Sequence, residues 1–222
     1  FYDGPARRVN WRSSWDDDAT GLWVRGGHPL DGHDHFDRGH VNYIARGKPL
    51  LIEAGTPGYD NPSINTPYST VIGHNVLDLD EIAPKKAPAP VTVNRLDADG
   101  GDVTVDVTAC YPGLQAWQRQ VAWDAVNLAV SDRVSVEKPA SMAFRWHLGT
   151  DQPATVTGEG GVWEAHWPEG TMALQSSVPL TVTQEKLPDN TVCVGNKDNG
   201  WDFTHTLSLI HISEPTRLLS IS

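Results

Sequence analysis

An antiparallel β-sandwich is the fold class this sequence predicts, on three observations. Strand-like runs follow one another from residue 101 onward: GDVTVDVTACY, QRQVAWDAVNLAVSDRVSV, SMAFRWHLGT, GVWEAHW, TMALQSS and VPLTVTQE. In the first of them Val103, Val105 and Val107 alternate with Thr104, Asp106 and Thr108, the period-2 pattern of a half-buried strand. No helical apolar stripe exceeds about two turns, and 20 glycines and 16 prolines in 222 residues favour turns and short strands.

The elements follow in chain order. Residues 1–30 are polar with interspersed aromatics, and GLWVR reads as a strand entering a glycine turn at Gly26 and Gly27. HVNYIARG alternates, with Val41, Tyr43 and Ala45 on one face; Arg46 and Gly47 then turn the chain into KPLLIEAG, a return strand ending at Glu53. TPGYDNPSINTPYST is a long polar loop of the kind that carries sites on β scaffolds. STVIGHNVLDLD reads as a further strand with His74 in its middle. The APAP of KKAPAPVTV disfavours a helix or a central strand, so the segment reads as a linker or an edge-strand entry. DADGGD, Asp97 to Asp102, lacks the spacing and final Glu of a calcium loop and reads as a hairpin turn. Trp123 is expected in the core, Trp163 and Trp167 in loops or at edges, and His147 and His166 as strand histidines. Arg7, Arg8 and Arg12 form a basic cluster expected at the surface.

Composition narrows the function. A net charge of −11 repels a phosphate backbone, so a nucleic-acid partner is disfavoured. No apolar run reaches the ~18 residues of a membrane span. Cys110 and Cys193 are compatible with two thiols or one disulfide.

The densest chemistry lies in GHDHFDRGH, where His33, His35 and His40 alternate with Asp34 and Asp37. In an extended segment His33 and His35 share a face. Glu53 ends an apolar strand and His74 sits among apolar and small residues, so both need partners if buried. Two histidine nitrogens, one carboxylate and a water make a usual zinc set, with manganese or iron also compatible. Asp34, Asp37 and His40 would then orient the ligand rings. A polar loop bonded to backbone and a metal-free acid/base pair remain open on spacing alone.

The stretch HPLDGHDHFDRGHVNYIARGKPLLIEAGTPGYDN, followed by STVIGHNVLDLD, resembles the heparinase II/III-like domain of polysaccharide lyases, which includes alginate lyases. In that family an H-x-H motif leads into a strand ending in D-x-G, where this chain has Glu53-Ala54-Gly55, and a tyrosine loop and a short H-N segment follow. The upstream WRSSWDDDATGLWVRGGH and the downstream QRQVAWDAVNLAVSDRVSV follow the family order. It implies the C-terminal sandwich of a lyase built from an α/α toroid and a β-sandwich. It places the metal ligands, for a divalent ion expected to be Zn2+, on His35, Glu53 and His74, with Glu53 where the family usually has Asp. It places cleft-facing catalytic groups on His33 and Tyr59.

The implied reaction is β-elimination at a uronic acid of an acidic polysaccharide, alginate or a glycosaminoglycan, in the periplasm or outside the cell. The base and acid of the missing N-terminal toroid would complete the site, so this chain is expected to be inactive or weak alone. A non-catalytic carbohydrate-binding sandwich and a metal-dependent hydrolase are the rival readings. The sandwich is expected over residues 1–206. From Leu207, LSLIHISEPTRLLSIS resembles a translated sequencing-adapter read-through, so residues 207–222 are expected to be a non-native tail.

Overall fold

In the structure, a computed structural model, residues 1–55, 65, 67–80, 82–138, 140–150, 152–186 and 205–210 are described. The described residues form three antiparallel sheets. The largest contains β1 (Tyr2–Asp3), β2 (Arg8–Arg12), β3 (Gly21–Arg25), β4 (Val41–Ala45), β5 (Lys48–Ile52) and β6 (Leu77–Leu79). The second contains β7 (Val91–Asp97), β8 (Gly100–Asp106), β9 (Leu114–Asp124) and β10 (Leu128–Val136). Strand β11 (Met142–Leu148) returns to the first sheet, β12 (Thr155–Glu159), β13 (Val162–Trp167) and β14 (Gly170–Gln175) form the third, and β15 (Thr181–Lys186) and β16 (His205–Ile210) finish the first. The first sheet runs β1-β2-β3-β4-β5-β11-β16-β15 with β6 also on β11; the second runs β10-β9-β8-β7. The expected boundary at 206/207 falls inside β16.

Alternation sets the core. Val103, Val105 and Val107 are fully buried, as are Trp117 and Val121 on β9, while Gln118 and Gln120 between them are exposed. From the first sheet, Val9, Leu22, Val24, Val41, Tyr43, Phe144 and Trp146 join the same apolar cluster. Each fully buried aliphatic chain contributes roughly 1.5–3 kcal/mol, so the facing rows make the two sheets one sandwich. Trp123 is in this core, as expected.

Turn chemistry agrees with the reading of the sequence. Asp124 Oδ1 accepts the Val126 and Asn127 N–H groups, both at 2.7 Å, and closes the β9–β10 hairpin. DADGGD is the β7–β8 hairpin, with Asp99 N–H on Asp97 Oδ1 at 2.9 Å. Strand β7 is an edge, and Ala89 of the APAP segment bridges Gly27. Trp167 differs from expectation. It lies buried on β13, the central strand of the third sheet, because that sheet presses it and Leu174 into the core.

Gly27 is a point where the backbone admits no side chain. Its φ is +149°, and a Cβ there would run into the Arg38 guanidinium. Gly27→Ala is expected to cost roughly 1–3 kcal/mol. A urea midpoint equal to that of the parent chain would show that Arg38 moves aside without cost.

Candidate metal centre

Three segments converge at the candidate site. They are the 28–40 loop, the end of β5 and the turn before β6. The loop is not extended. His33 has φ +49° and is exposed, while His35 is half-buried, so the two rings do not share a strand face as the spacing suggests.

Ion pairs shape this loop. Arg25 Nη2 meets Asp34 Oδ1 at 2.6 Å and Asp31 Oδ2 at 3.0 Å, and its Nε meets Asp37 Oδ2 at 3.0 Å. Arg38 pairs with both Asp34 oxygens, at 2.8 and 2.7 Å, and with Asp37 at 3.0 Å. Asp34 and Asp37 thus spend their hydrogen bonds on arginines rather than on ligand rings, a correction to the role expected of them. The network is half-buried to buried, and paired charges there are costly to separate.

His74 does not lie within a strand. A single 3-10 turn, Val71–Gly73, is capped by the Thr70 hydroxyl, and His74 closes it in extended backbone before β6. Its ring is fully buried, and neither ring nitrogen has a hydrogen-bond partner among the described residues. Burial first, then the neighbouring His40, His35 and His147 rings, holds its pKa well below the usual histidine range. A neutral imidazole with two bare nitrogens is thus held in the interior, where each unsatisfied group costs about 1–3 kcal/mol.

Glu53 Oε2 lies 3.7 Å from His74 Nδ1. Burial raises its carboxyl to about 7, and the Asp37 charge adds to this. Its side chain keeps 38% exposure, so the centre opens to solvent on this side.

The donor atoms of His40, Glu53 and His74 all lie within 4.8 Å of one another, a possible His–Glu–His metal triad. His35 is not in that group, although its ring centroid lies 5.3 Å from that of His74, as does the His40 centroid. The two candidate third histidines differ in what else they do. His40 Nδ1 accepts the Asn75 N–H at 2.8 Å, and its Nε2 faces Asn42 Oδ1 at 2.8 Å. Both nitrogens of His40 are therefore engaged, and burial pushes its pKa down to about 4. His74 and Glu53 fit a metal ion by donor type and by His74's unmet nitrogens.

Two further residues hold the frame. Asn75 is buried, and its Nδ2 donates to Val41 O and Ile52 O, both at 2.8 Å, while its Oδ1 accepts the His147 N–H at 2.6 Å. Arg119 Nη1 donates to Gly39 O at 2.9 Å and to Asn75 O at 2.5 Å. His147, a buried strand histidine as expected, has its pKa lowered to about 3 by burial.

Tyr59 lies outside the described residues, as does Cys193. Cys110 is a buried free thiol. Arg8 and Arg12 are exposed, as expected of a surface cluster. His166 is an exposed strand residue that faces Glu164 and Thr171. Among the described residues no helix is long and apolar enough to cross a membrane.

The heparinase II/III-like, C-terminal family model matches residues 7–212. A comparison with curated protein sequences finds no match. Among solved structures the chain is similar to the heparan sulfate lyase HepC from Pedobacter heparinus, at TM-score 0.71 and 19% identity, over 96% of this chain and 34% of that one. A heparinase III gene product gives TM-score 0.71 at 16% identity, over 96% of this chain and 34% of that one. A further heparinase III gives TM-score 0.67 at 11% identity, over 96% and 35%. At these identities the likeness shows the shared fold, and the chain spans about a third of the length of these structures. A family match over nearly the whole chain and a sandwich of the same fold place it: the chain belongs to the heparinase II/III-like C-terminal family.

Proposed function

We propose that this sandwich is the metal-stabilised wall of the active cleft in a polysaccharide lyase that cleaves uronic-acid glycans by β-elimination. The observation that carries the metal assignment is His74, a buried neutral imidazole with both nitrogens unmet, set 3.7 Å from Glu53. His35 is the third ligand in this reading, because His40 already has a partner on each ring nitrogen. The ion is a divalent metal, zinc by donor set. When bound, it supplies a cross-link between the 28–40 loop, the end of β5 and the turn before β6.

In the reaction a base removes the proton on C5, α to the uronate carboxylate. The C4–O bond then breaks and a C4–C5 double bond forms. His33 is exposed on the same loop as His35, and in this reading its imidazole neutralises the carboxylate or carries a proton. In this reading Tyr59 shapes the sugar pocket. The remaining acid/base groups come from an N-terminal α/α toroid. Heparan sulfate lyases among the similar structures support an acidic polysaccharide as substrate; we propose that it is alginate or a glycosaminoglycan, met in the periplasm or outside the cell.

The test is elemental analysis of the 222-residue chain beside a His35→Ala/His74→Ala variant, followed by assay of a toroid-containing protein for unsaturated uronate products. About one zinc per chain, lost in the variant, is expected. No metal in the parent chain sinks the metal assignment, and products without a double bond sink the lyase assignment in favour of a hydrolase. In the toroid-containing protein, Tyr59→Phe is expected to lower the rate by roughly 10²–10⁴ if the hydroxyl moves a proton, with little change in melting temperature. An unchanged rate removes Tyr59 from the catalytic set.

A further inference from the structure

Arg119 is a charged residue in the centre of the sandwich, and a lyase mechanism has no direct use for it there. It is fully buried on β9, 5.1 Å from the Trp146 ring, 5.3 Å from Trp117 and 5.8 Å from Phe144. Its cross-strand partner on β10 is Asp132, also fully buried. Nε and Nη2 meet the two Asp132 oxygens at 2.8 and 2.9 Å, and Trp117 Nε1 donates to the same carboxylate at 2.7 Å. The ion pair neutralises the charge and leaves Nη1 to act elsewhere.

Nη1 reaches across the sandwich to two carbonyls, Gly39 and Asn75. Gly39 immediately precedes His40, and Asn75 immediately follows His74. Asn75 then passes the constraint on. Its N–H sits on His40 Nδ1, and one Nδ2 bond fixes Ile52 O, the residue before Glu53. One guanidinium thus fixes the backbone beside His74 and, through Asn75, the approach of Glu53.

We propose that Arg119, held by Asp132, is a positioning residue for the metal centre. It sets the spacing of His74 and Glu53 through the Gly39 and Asn75 carbonyls. This rests on the reading of that centre as a metal site. A purely structural ion pair would matter for folding and would leave metal geometry alone. A positioning pair alters metal affinity and coordination even when stability is restored. Outer partners of this kind typically cost 10–100-fold in metal affinity when lost.

The test uses Co2+ as probe on the 222-residue chain, read by its visible absorption and by competition with a chelator. The variants are Arg119→Met/Asp132→Leu, which replaces the pair by apolar side chains of similar size, and Arg119→Lys. Apolar replacement of a buried ion pair is often tolerated, so a cooperative melt is expected for the double variant, at a lower temperature because Trp117 Nε1 loses its acceptor. Its Co2+ affinity is expected to fall roughly 10–100-fold, with a changed absorption band. If it fails to fold, Arg119→Lys serves instead. An ammonium cannot meet both carboxylate oxygens and both carbonyls, so the same loss is expected. A folded variant with parental affinity and spectrum overturns the positioning role and leaves the metal site standing. A parent chain that binds no Co2+ overturns the metal site itself, and the positioning role with it.

Discussion

Asp132→Ala is expected to destabilise the chain by about 3–5 kcal/mol, the largest effect of any single substitution considered. The carboxylate is fully buried and accepts three hydrogen bonds, two from Arg119 and one from the Trp117 indole. Its removal leaves a guanidinium without a counter-charge between three aromatic rings and an indole N–H without an acceptor. Desolvation decides the magnitude, because an exposed pair of the same geometry is worth only ~0–1 kcal/mol. The check is equilibrium denaturation by urea, with the change read from the midpoint at constant slope. Arg95 and Asp97 supply the control, since that pair at 2.7 Å is about half exposed on both sides. Asp97→Ala is expected to shift the midpoint far less. Equal shifts for the two variants would mean that water reaches Asp132, and the account of a dry core would fail.

The Arg119–Asp132 pair also shows what was legible in the sequence. Strand positions were readable because alternation is a local property. Val103, Val105 and Val107 pointed inward in the sequence and are fully buried in the fold. The same parity puts Arg119 between Trp117 and Val121, and Asp132 between Val130 and Val134, on inward-facing positions. Two opposite charges at inward parity on consecutive strands were a signal of a buried pair that could have been found without coordinates.

The site was legible in its residue types and less so in its shape. His74 and Glu53 lie together as their chemistry suggested. But a 3-10 turn carries His74 where a strand was expected, since Thr70 and Pro67 close the backbone locally before β6 pairs. The left-handed φ of His33 separates its ring from His35, and no period-2 pattern encodes that. Asp34 and Asp37 were readable as carboxylates near histidines. Their choice of Arg25 and Arg38 depends on tertiary contacts between residues up to 12 apart in sequence.

Removing metal is expected to lower the melting temperature of the chain by about 10 °C, and the pattern of that loss across three histidines identifies the ligands. At metal about a thousand times above its dissociation constant, binding adds roughly 4 kcal/mol to the folded state. For a chain of this size each kcal/mol moves the melting point by about 2–4 °C. The gain is available because His74 is held neutral in the interior with neither ring nitrogen hydrogen-bonded among the described residues, so coordination satisfies a group that otherwise costs stability. His74→Ala is therefore expected to melt at one temperature with or without chelator, and His35→Ala likewise. His40→Gln is expected to behave otherwise. It weakens the bonds to Asn75 and Asn42, so its baseline drops, but the difference between metal-loaded and chelated protein persists. The opposite pattern, with sensitivity kept in His35→Ala and lost in His40→Gln, would assign the triad to His40, Glu53 and His74. That outcome would require His40 to surrender the Asn75 N–H on binding, and so would predict a shift in the Asn75 amide resonance when metal is added.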